Sequence, residues 1–304
     1  MIRLATLCLL VLSTTISPRG DSGQIICGPG TFPDSWIHGA PNCATSVDPP
    51  LQVHAFNEST YIIRQSKCTS PNAPFLYLLL GQERALLVDS GATADPAVFP
   101  IKPAIDRILR KWKQAQGITQ YELVVTHTHE HGDHFLADAQ FVGQASTTVV
   151  GVTQQDLQAF YGMGSWPTDV GSIDLGGRIV DVIATPGHSP GSVSYYDRCA
   201  DLLLTGDTLL PGYLLIFDSQ SDYVASIERL FNFALVNPVE YILGGHIEMT
   251  AVPGVPFPGG ATYQPNEHPL ALDIAHLREL HKALQLMGLP LIPWQFNDFH
   301  LSPF

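Results

Sequence analysis

Charge is scarce in this 304-residue chain. Only 14% of its residues are Asp, Glu, Lys or Arg, and 15 Lys plus Arg stand against 28 Asp plus Glu, a formal net charge of −13. An acidic surface with no basic run repels phosphate backbones, so nucleic acid is excluded as the expected partner. No internal stretch approaches the ~20 apolar residues of a membrane span. No low-complexity linker and no short tandem repeat divides the chain. None of its 5 cysteines lies in a CxxC pair or near the histidine clusters, which argues against a cysteine metal site. Apolar residues are plentiful at 45%, enough for a sizeable core and too many for disorder. The 26 glycines and 24 prolines imply long ordered loops.

The first residues read differently from the rest. Arg3 precedes an apolar run from Leu4 to Leu12, followed by Ser13, Thr14, Thr15 and Ser17. This is the pattern of a secretory signal peptide over residues 1–20, with no membrane span once the leader is removed. It predicts a secreted or periplasmic protein. Losing the leader removes Cys8 and leaves Cys27, Cys43, Cys68 and Cys199. Outside a reducing cytosol these predict two disulfides, with Cys27–Cys43 and Cys68–Cys199 favoured among three pairings.

Residues 21–50 read as an irregular lead-in, and 51–304 as one domain. Strands are expected at Leu51–Phe56, Tyr61–Arg64, Phe75–Leu80 and Ala85–Val88, followed by a helix over Lys102–Gln116 and a buried strand over Tyr121–Thr126. Further strands are expected at Thr147–Val150 and Ile179–Ile183, a hairpin at Ser192–Tyr196 and Leu202–Leu204, and a strand at Tyr241–Leu243. Helices are expected at Gln154–Tyr161, at Asp222–Val236, and from near Asn266 to the end of the Leu270/Ile274/Leu277/His281/Leu284 repeat. Strands mixed with helices in each half predict two sheets covered by helices.

Of 12 histidines, His127, His129, His131 and His134 crowd one short segment directly after a buried strand. Its core reads Thr128-His129-Glu130-His131-Gly132-Asp133-His134. Imidazoles and a carboxylate converging where a strand turns into a helix suit zinc or another first-row metal. Three later residues repeat the placement just past short apolar strands and beside glycine: His188 in TPGHSPG, Asp207 in TGDT and His246 in GGH. Loops at strand ends can meet, and sites form there. His127 has no matching ligand role and reads as strand-end packing.

The order HxHxDH, TPGHSPG, TGDT, GGH closely resembles the metallo-β-lactamase superfamily over roughly Leu51 to Thr250, with Asp89 in Val88-Asp89-Ser90-Gly91 at the family's early strand end. The resemblance implies an α/β protein, an αβ/βα four-layer sandwich, carrying two Zn2+ per chain. It assigns His129, His131 and His188 to one metal, Asp133, His134 and His246 to the other, and Asp207 to a bridge between them. Asp89 would orient ligands, and Asp133 would also act catalytically, orienting the nucleophile or moving its proton. The implied activity is hydrolysis by a metal-bridging hydroxide.

An aspartate at the bridging position resembles the glyoxalase II and lactonase branches rather than the true β-lactamases. The run after His246, Ile247-Glu248-Met249, departs from glyoxalase II. The expected activity is therefore cleavage of an ester, lactone or amide in a small-molecule substrate. A β-lactam hydrolase and a mononuclear-iron oxidoreductase of the persulfide dioxygenase type are the alternatives. Tyr161, Trp166 and Tyr213 are the expected substrate-pocket residues, with Phe217 and the Pro/Gly-rich stretch 250–265 nearby.

Overall fold

A computed structural model describes Ile25 and residues 27–304. The expected leader over 1–20 lies outside the described residues. The first sheet contains six strands in sequence order: β1 (Leu51–Asn57), β2 (Thr60–Gln65), β3 (Phe75–Leu80), β4 (Arg84–Val88), β5 (Glu122–Thr126) and β6 (Thr147–Val149). Between them lie α1 (Ile101–Gln116) and the single turn α2 (Gly132–Phe135). α3 (Gln154–Tyr161) leads to the second half, with β7 (Val170–Asp174), β8 (Ile179–Ala184), β9 (Val193–Asp197), β10 (Leu202–Gly206) and β11 (Tyr213–Ile216). Then come α4 (Gln220–Ala234), β12 (Tyr241–Gly244), β13 (Ala271–Leu272), α5 (Ile274–Met287), β14 (Trp294–Gln295) and β15 (His300–Pro303). The second sheet runs β13-β12-β10-β9-β8-β7, and β11-β15-β14 form a small third sheet.

The layering follows from the two-residue period of the strands. In β3, Phe75, Tyr77 and Leu79 join Val180, Val182, Tyr195 and Leu204 in a core between the two large sheets. The alternate residues Leu76, Leu78 and Leu80 face outward onto Ile101, Ile105 and Ile108 of α1. On the other side, Ile183, Tyr196 and Leu203 pack against Ile227 and Leu230 of α4 and Leu277 and Leu280 of α5. A strand apolar on both faces needs cover on both, and helix–sheet–sheet–helix is the result.

Two expectations change. The last helix begins at Ile274, not near Asn266. Asp273 caps it by accepting from the Ala275 and His276 amides, and the residues before it pair instead as a short strand, Leu272 opposite Ile242. The disulfides join Cys27 to Cys199 and Cys43 to Cys68, with Cα separations of 5.2 and 5.1 Å, not the favoured pairing. The lead-in runs across the sandwich, so Cys27 reaches the β9–β10 turn, while Cys43 meets the loop after β2.

Parallel pairing puts the site at one edge. β4 lies parallel to β5 with Val88 opposite Thr126, and β10 parallel to β12 with Gly206 opposite Gly244. Antiparallel links through β9 make β8 run in the same direction as β10. The C-terminal ends of β4, β5, β8, β10 and β12 therefore open onto the residues that follow them: Asp89, His129, His188, Asp207 and His246.

Candidate metal centre

Three nitrogens meet on one side of the site. His188 Nε2 lies 3.2 Å from His129 Nε2 and 2.9 Å from His131 Nδ1, and the last two are 3.1 Å apart. On the other side, His246 Nε2 lies 3.3 Å from His134 Nε2 and 3.4 Å from Asp133 Oδ2. Asp207 faces both groups with different oxygens. Its Oδ2 is 3.9 Å from His129 Nε2 and 3.7 Å from His188 Nε2. Its Oδ1 is 3.6 Å from His134 Nε2 and 3.5 Å from His246 Nε2.

The opposite edge of four of the five rings is tied down, while His131 faces the centre through Nδ1. His134 Nδ1 meets Asp89 Oδ2 at 2.8 Å, His188 Nδ1 donates to the Leu215 carbonyl at 2.7 Å, and His246 Nδ1 donates to the Asn72 carbonyl at 2.8 Å. His129 Nδ1 lies 3.1 Å from Thr128 Oγ1. Protons held on Nδ1 leave Nε2 lone pairs aimed at the centre, which is how metal-binding histidines are prepared. Asp89 sits with φ +64° and accepts the Thr128 amide at 2.7 Å, locking the turn that carries the first two histidines.

The electrostatics differ between the two sides. Burial holds His129 well below, and His188 below, the usual imidazole range, so both are neutral donors. Burial also penalises the His134 imidazolium, but Asp89 and Asp207 outweigh it and hold that pKa well above normal. Burial opposes the Asp207 carboxylate too, yet His246 and His134 keep its pKa well below normal. Asp133 is likewise held down against burial, by His246 and His134.

Several observations test whether this cluster suits a cation pair. Asp207 Oδ1 is buried without a hydrogen-bond partner, the state of a carboxylate oxygen shaped for something other than protein donors. A Cβ on Gly245 would lie 2.6 Å from that same oxygen and 2.9 Å from His134 Cε1, so the space is kept clear by glycine. Nitrogens around a tetrahedral zinc stand ~3.3 Å apart, close to the spacing of the first three. Two sets of three donors, His129/His131/His188 and Asp133/His134/His246, could each hold an ion, and Asp207 also groups with His129 and His134.

A cavity of 240 Å³ opens over these residues, walled by Leu210, Tyr213, Leu215, Phe217 and Glu248. Tyr213, one of the three expected pocket residues, lines this cavity. Tyr161 and Trp166 are not brought there. Tyr161 is buried in the inter-sheet core with its hydroxyl donating to Thr126 Oγ1, and Trp166 packs against that core. The Pro/Gly-rich stretch enters only indirectly: Phe257 supplies the carbonyl that accepts from the Tyr213 hydroxyl at 3.2 Å. His127 packs at its strand end, 2.9 Å from Asp138, as read from the sequence.

Two residues escaped the sequence reading. Asn72 grips two of the six outer donors at once, accepting from His246 and donating through Nδ2 to Asp133 Oδ2 at 2.7 Å. Its partners lie far along the chain, so no motif could expose it. Glu248 was visible only as part of an unusual run after His246. Its Oε2 accepts from the Tyr213 amide at 2.8 Å, and burial raises its pKa.

The comparisons agree with the geometry. The family model described as the metallo-beta-lactamase superfamily matches residues 70–246. A hydroxyacylglutathione hydrolase of Rhizobium meliloti is 33% identical over 146 residues, 46% of this chain and 53% of its own. An acyl-coenzyme A thioesterase MBLAC2 of Bos taurus is 30% identical over 178 residues, 53% of this chain and 61% of its own. The chain spans about half to three-fifths of the length of these curated relatives. Among solved structures, TMB-1 is similar with a TM-score of 0.51 at 12% identity, over 79% of this chain and 99% of that one, a likeness of fold alone.

Proposed function

The chain belongs to the metallo-beta-lactamase superfamily, and from that premise we propose that it is an exported dinuclear zinc hydrolase of carboxylic acid derivatives. The single observation that carries this is Asp207, whose two oxygens face two separate sets of donors. His129, His131 and His188 would hold one zinc, Asp133, His134 and His246 the other, and Asp207 both. Esters, lactones and amides are the substrates proposed from the sequence. The names of the relatives, a hydroxyacylglutathione hydrolase and an acyl-coenzyme A thioesterase, add thioesters to that class. Export rests on the apolar run at Leu4–Leu12 and on the two disulfides.

When bound, a zinc pair supplies Lewis acidity and brings the pKa of water from ~16 toward neutrality. The protein's own groups then do the positioning. Asp133 stands at the cavity wall with Oδ2 fixed by Asn72, placed to orient the attacking water and to hold its proton. The Leu210, Leu215 and Phe217 side chains displace water from the acyl group, which strengthens the electrostatic interactions left inside. Thr128 and Asp89 keep the His129 and His134 rings from turning away.

The test is turnover of a panel of esters, lactones, thioesters, β-lactams and phosphodiesters by protein treated with chelator and then with zinc. Zinc-restored cleavage of an acyl substrate is the expected result. Undiminished turnover by metal-free protein, or cleavage restored only by iron, overturns the proposal.

A further inference from the structure

Asn72 reaches the centre from the loop between β2 and β3, residues 66–74, and that loop does not hold its shape unaided. Ala73, next to Asn72, stands at φ +45° directly before Pro74. An L-residue rarely adopts that backbone, and it persists only where the surroundings impose it. The loop's amides bond mostly inside it, Thr69 and Ser70 to the Ser66 carbonyl and Ala73 to that of Ser70. Gln65 of β2 adds one bond, to Thr69 Oγ1 at 3.1 Å. Two firmer ties act beside these. Cys68 is bridged to Cys43 of the lead-in. Lys67 is buried, and its ammonium crosses the loop to donate to the Pro71 carbonyl at 3.0 Å, one residue before Asn72. The lead-in is fastened in turn, with the Ala40 amide donating to the Thr262 carbonyl and the Gly39 amide to Asp48 Oδ2. Glycine lets the lead-in pass this close: a Cβ on Gly39 would lie 2.0 Å from the Thr262 carbonyl oxygen and 2.9 Å from Lys67 Cβ.

We infer that Lys67 and the Cys43–Cys68 bridge are positioning groups for the metal of Asp133, His134 and His246. They hold the Pro71–Asn72 turn, and through Asn72 they set how firmly Asp133 and His246 are presented. The inference rests on the two-metal reading above. It separates the two bridges by effect as well as by place. Cys27–Cys199 ties the lead-in to the β9–β10 turn, at the end of β10 away from Asp207, so that bridge has no route to Asn72.

Stepwise zinc titration against a chromophoric chelator tests this on the full chain, as wild type, as Cys43→Ser/Cys68→Ser and as Cys27→Ser/Cys199→Ser. Losing the first bridge should weaken the zinc of Asp133, His134 and His246 about tenfold and leave the zinc of His129, His131 and His188 unmoved. Losing the other bridge should move neither. Because the effect passes through Asn72, adding Asn72→Ala to Cys43→Ser/Cys68→Ser should cost little more than Asn72→Ala alone. Lys67→Met keeps both bridges and should repeat the pattern, so it carries the test if the chain without the Cys43–Cys68 bridge does not fold. Equal weakening of both zincs, the same loss without Cys27–Cys199, or losses that add fully to that of Asn72→Ala overturn the inference. A single zinc in the wild type refutes the metal pair itself. Two zincs in the wild type, both held as tightly in the variants, refute only the positioning role.

Discussion

Asn72 shows what a single exposed residue can do for a buried centre. Its backbone carbonyl holds His246 and its side-chain amide holds Asp133, two of the three donors on one side. Removing the amide in Asn72→Ala should loosen Asp133 and lower affinity for the second metal about 10–100-fold. The first metal should be untouched, and the melting temperature of the metal-free protein should hardly move. Stepwise zinc titration against a chromophoric chelator reads this directly. Two equally weakened sites would contradict the assignment of Asp133 and His246 to one metal. At this scale the histidines and Asp207 were legible, because the HxHxDH run follows a buried strand and His188, Asp207 and His246 each stand beside glycine just past a short apolar strand. Asn72 and Glu248 were not, since their contacts are made across the fold and leave no local spacing. Tyr161 and Trp166 misled for the opposite reason: an aromatic on a glycine-bounded loop reads as exposed, but here the ring completes the inter-sheet core.

Between elements, one buried ion pair joins the two sheets. Arg178, immediately before β8, donates bidentately to Asp197 at the end of β9. It also donates to the Ser59 and Leu80 carbonyls and to Thr60 Oγ1 of the first sheet. Both side chains are buried, and every guanidinium nitrogen has a partner. Arg178→Met would strand the Asp197 carboxylate in the core and remove the guanidinium donors to Leu80 and Thr60, at a cost of about 3–5 kcal/mol. Urea unfolding should show a lowered midpoint with the slope unchanged, and adding Asp197→Leu to the same chain should recover part of the loss. A loss below about 1 kcal/mol would mean that the pair does not clamp the sheets. Most strands and the α1, α3 and α4 helices were legible from apolar periodicity. The start of the last helix was not, because the Leu270 and Ile274 spacing continues a helical pattern through residues that a two-residue strand claims. The small strands β11, β14 and β15 were too short to announce themselves.

For the whole molecule, sandwich architecture and the edge position of the site follow from strand-end motifs, whereas the covalent frame does not. Cys27–Cys199 spans 172 residues and Cys43–Cys68 spans 25, and the path of the lead-in that decides between pairings has no repeating pattern to read. Each bridge restricts the unfolded chain, so reduction should destabilise the protein by about 2–5 kcal/mol per disulfide. Thermal unfolding of holoprotein with and without a thiol reductant measures it, and an unshifted melting temperature would show that neither bridge stabilises the fold. The central claim remains the pair of metals joined by Asp207, and metal content measured by mass spectrometry on dialysed protein tests it most directly. The account predicts about two zinc per wild-type chain and about one in folded Asp207→Ala, with His129, His131 and His188 retaining theirs. One metal in the wild type, or two tightly held in Asp207→Ala, would contradict it.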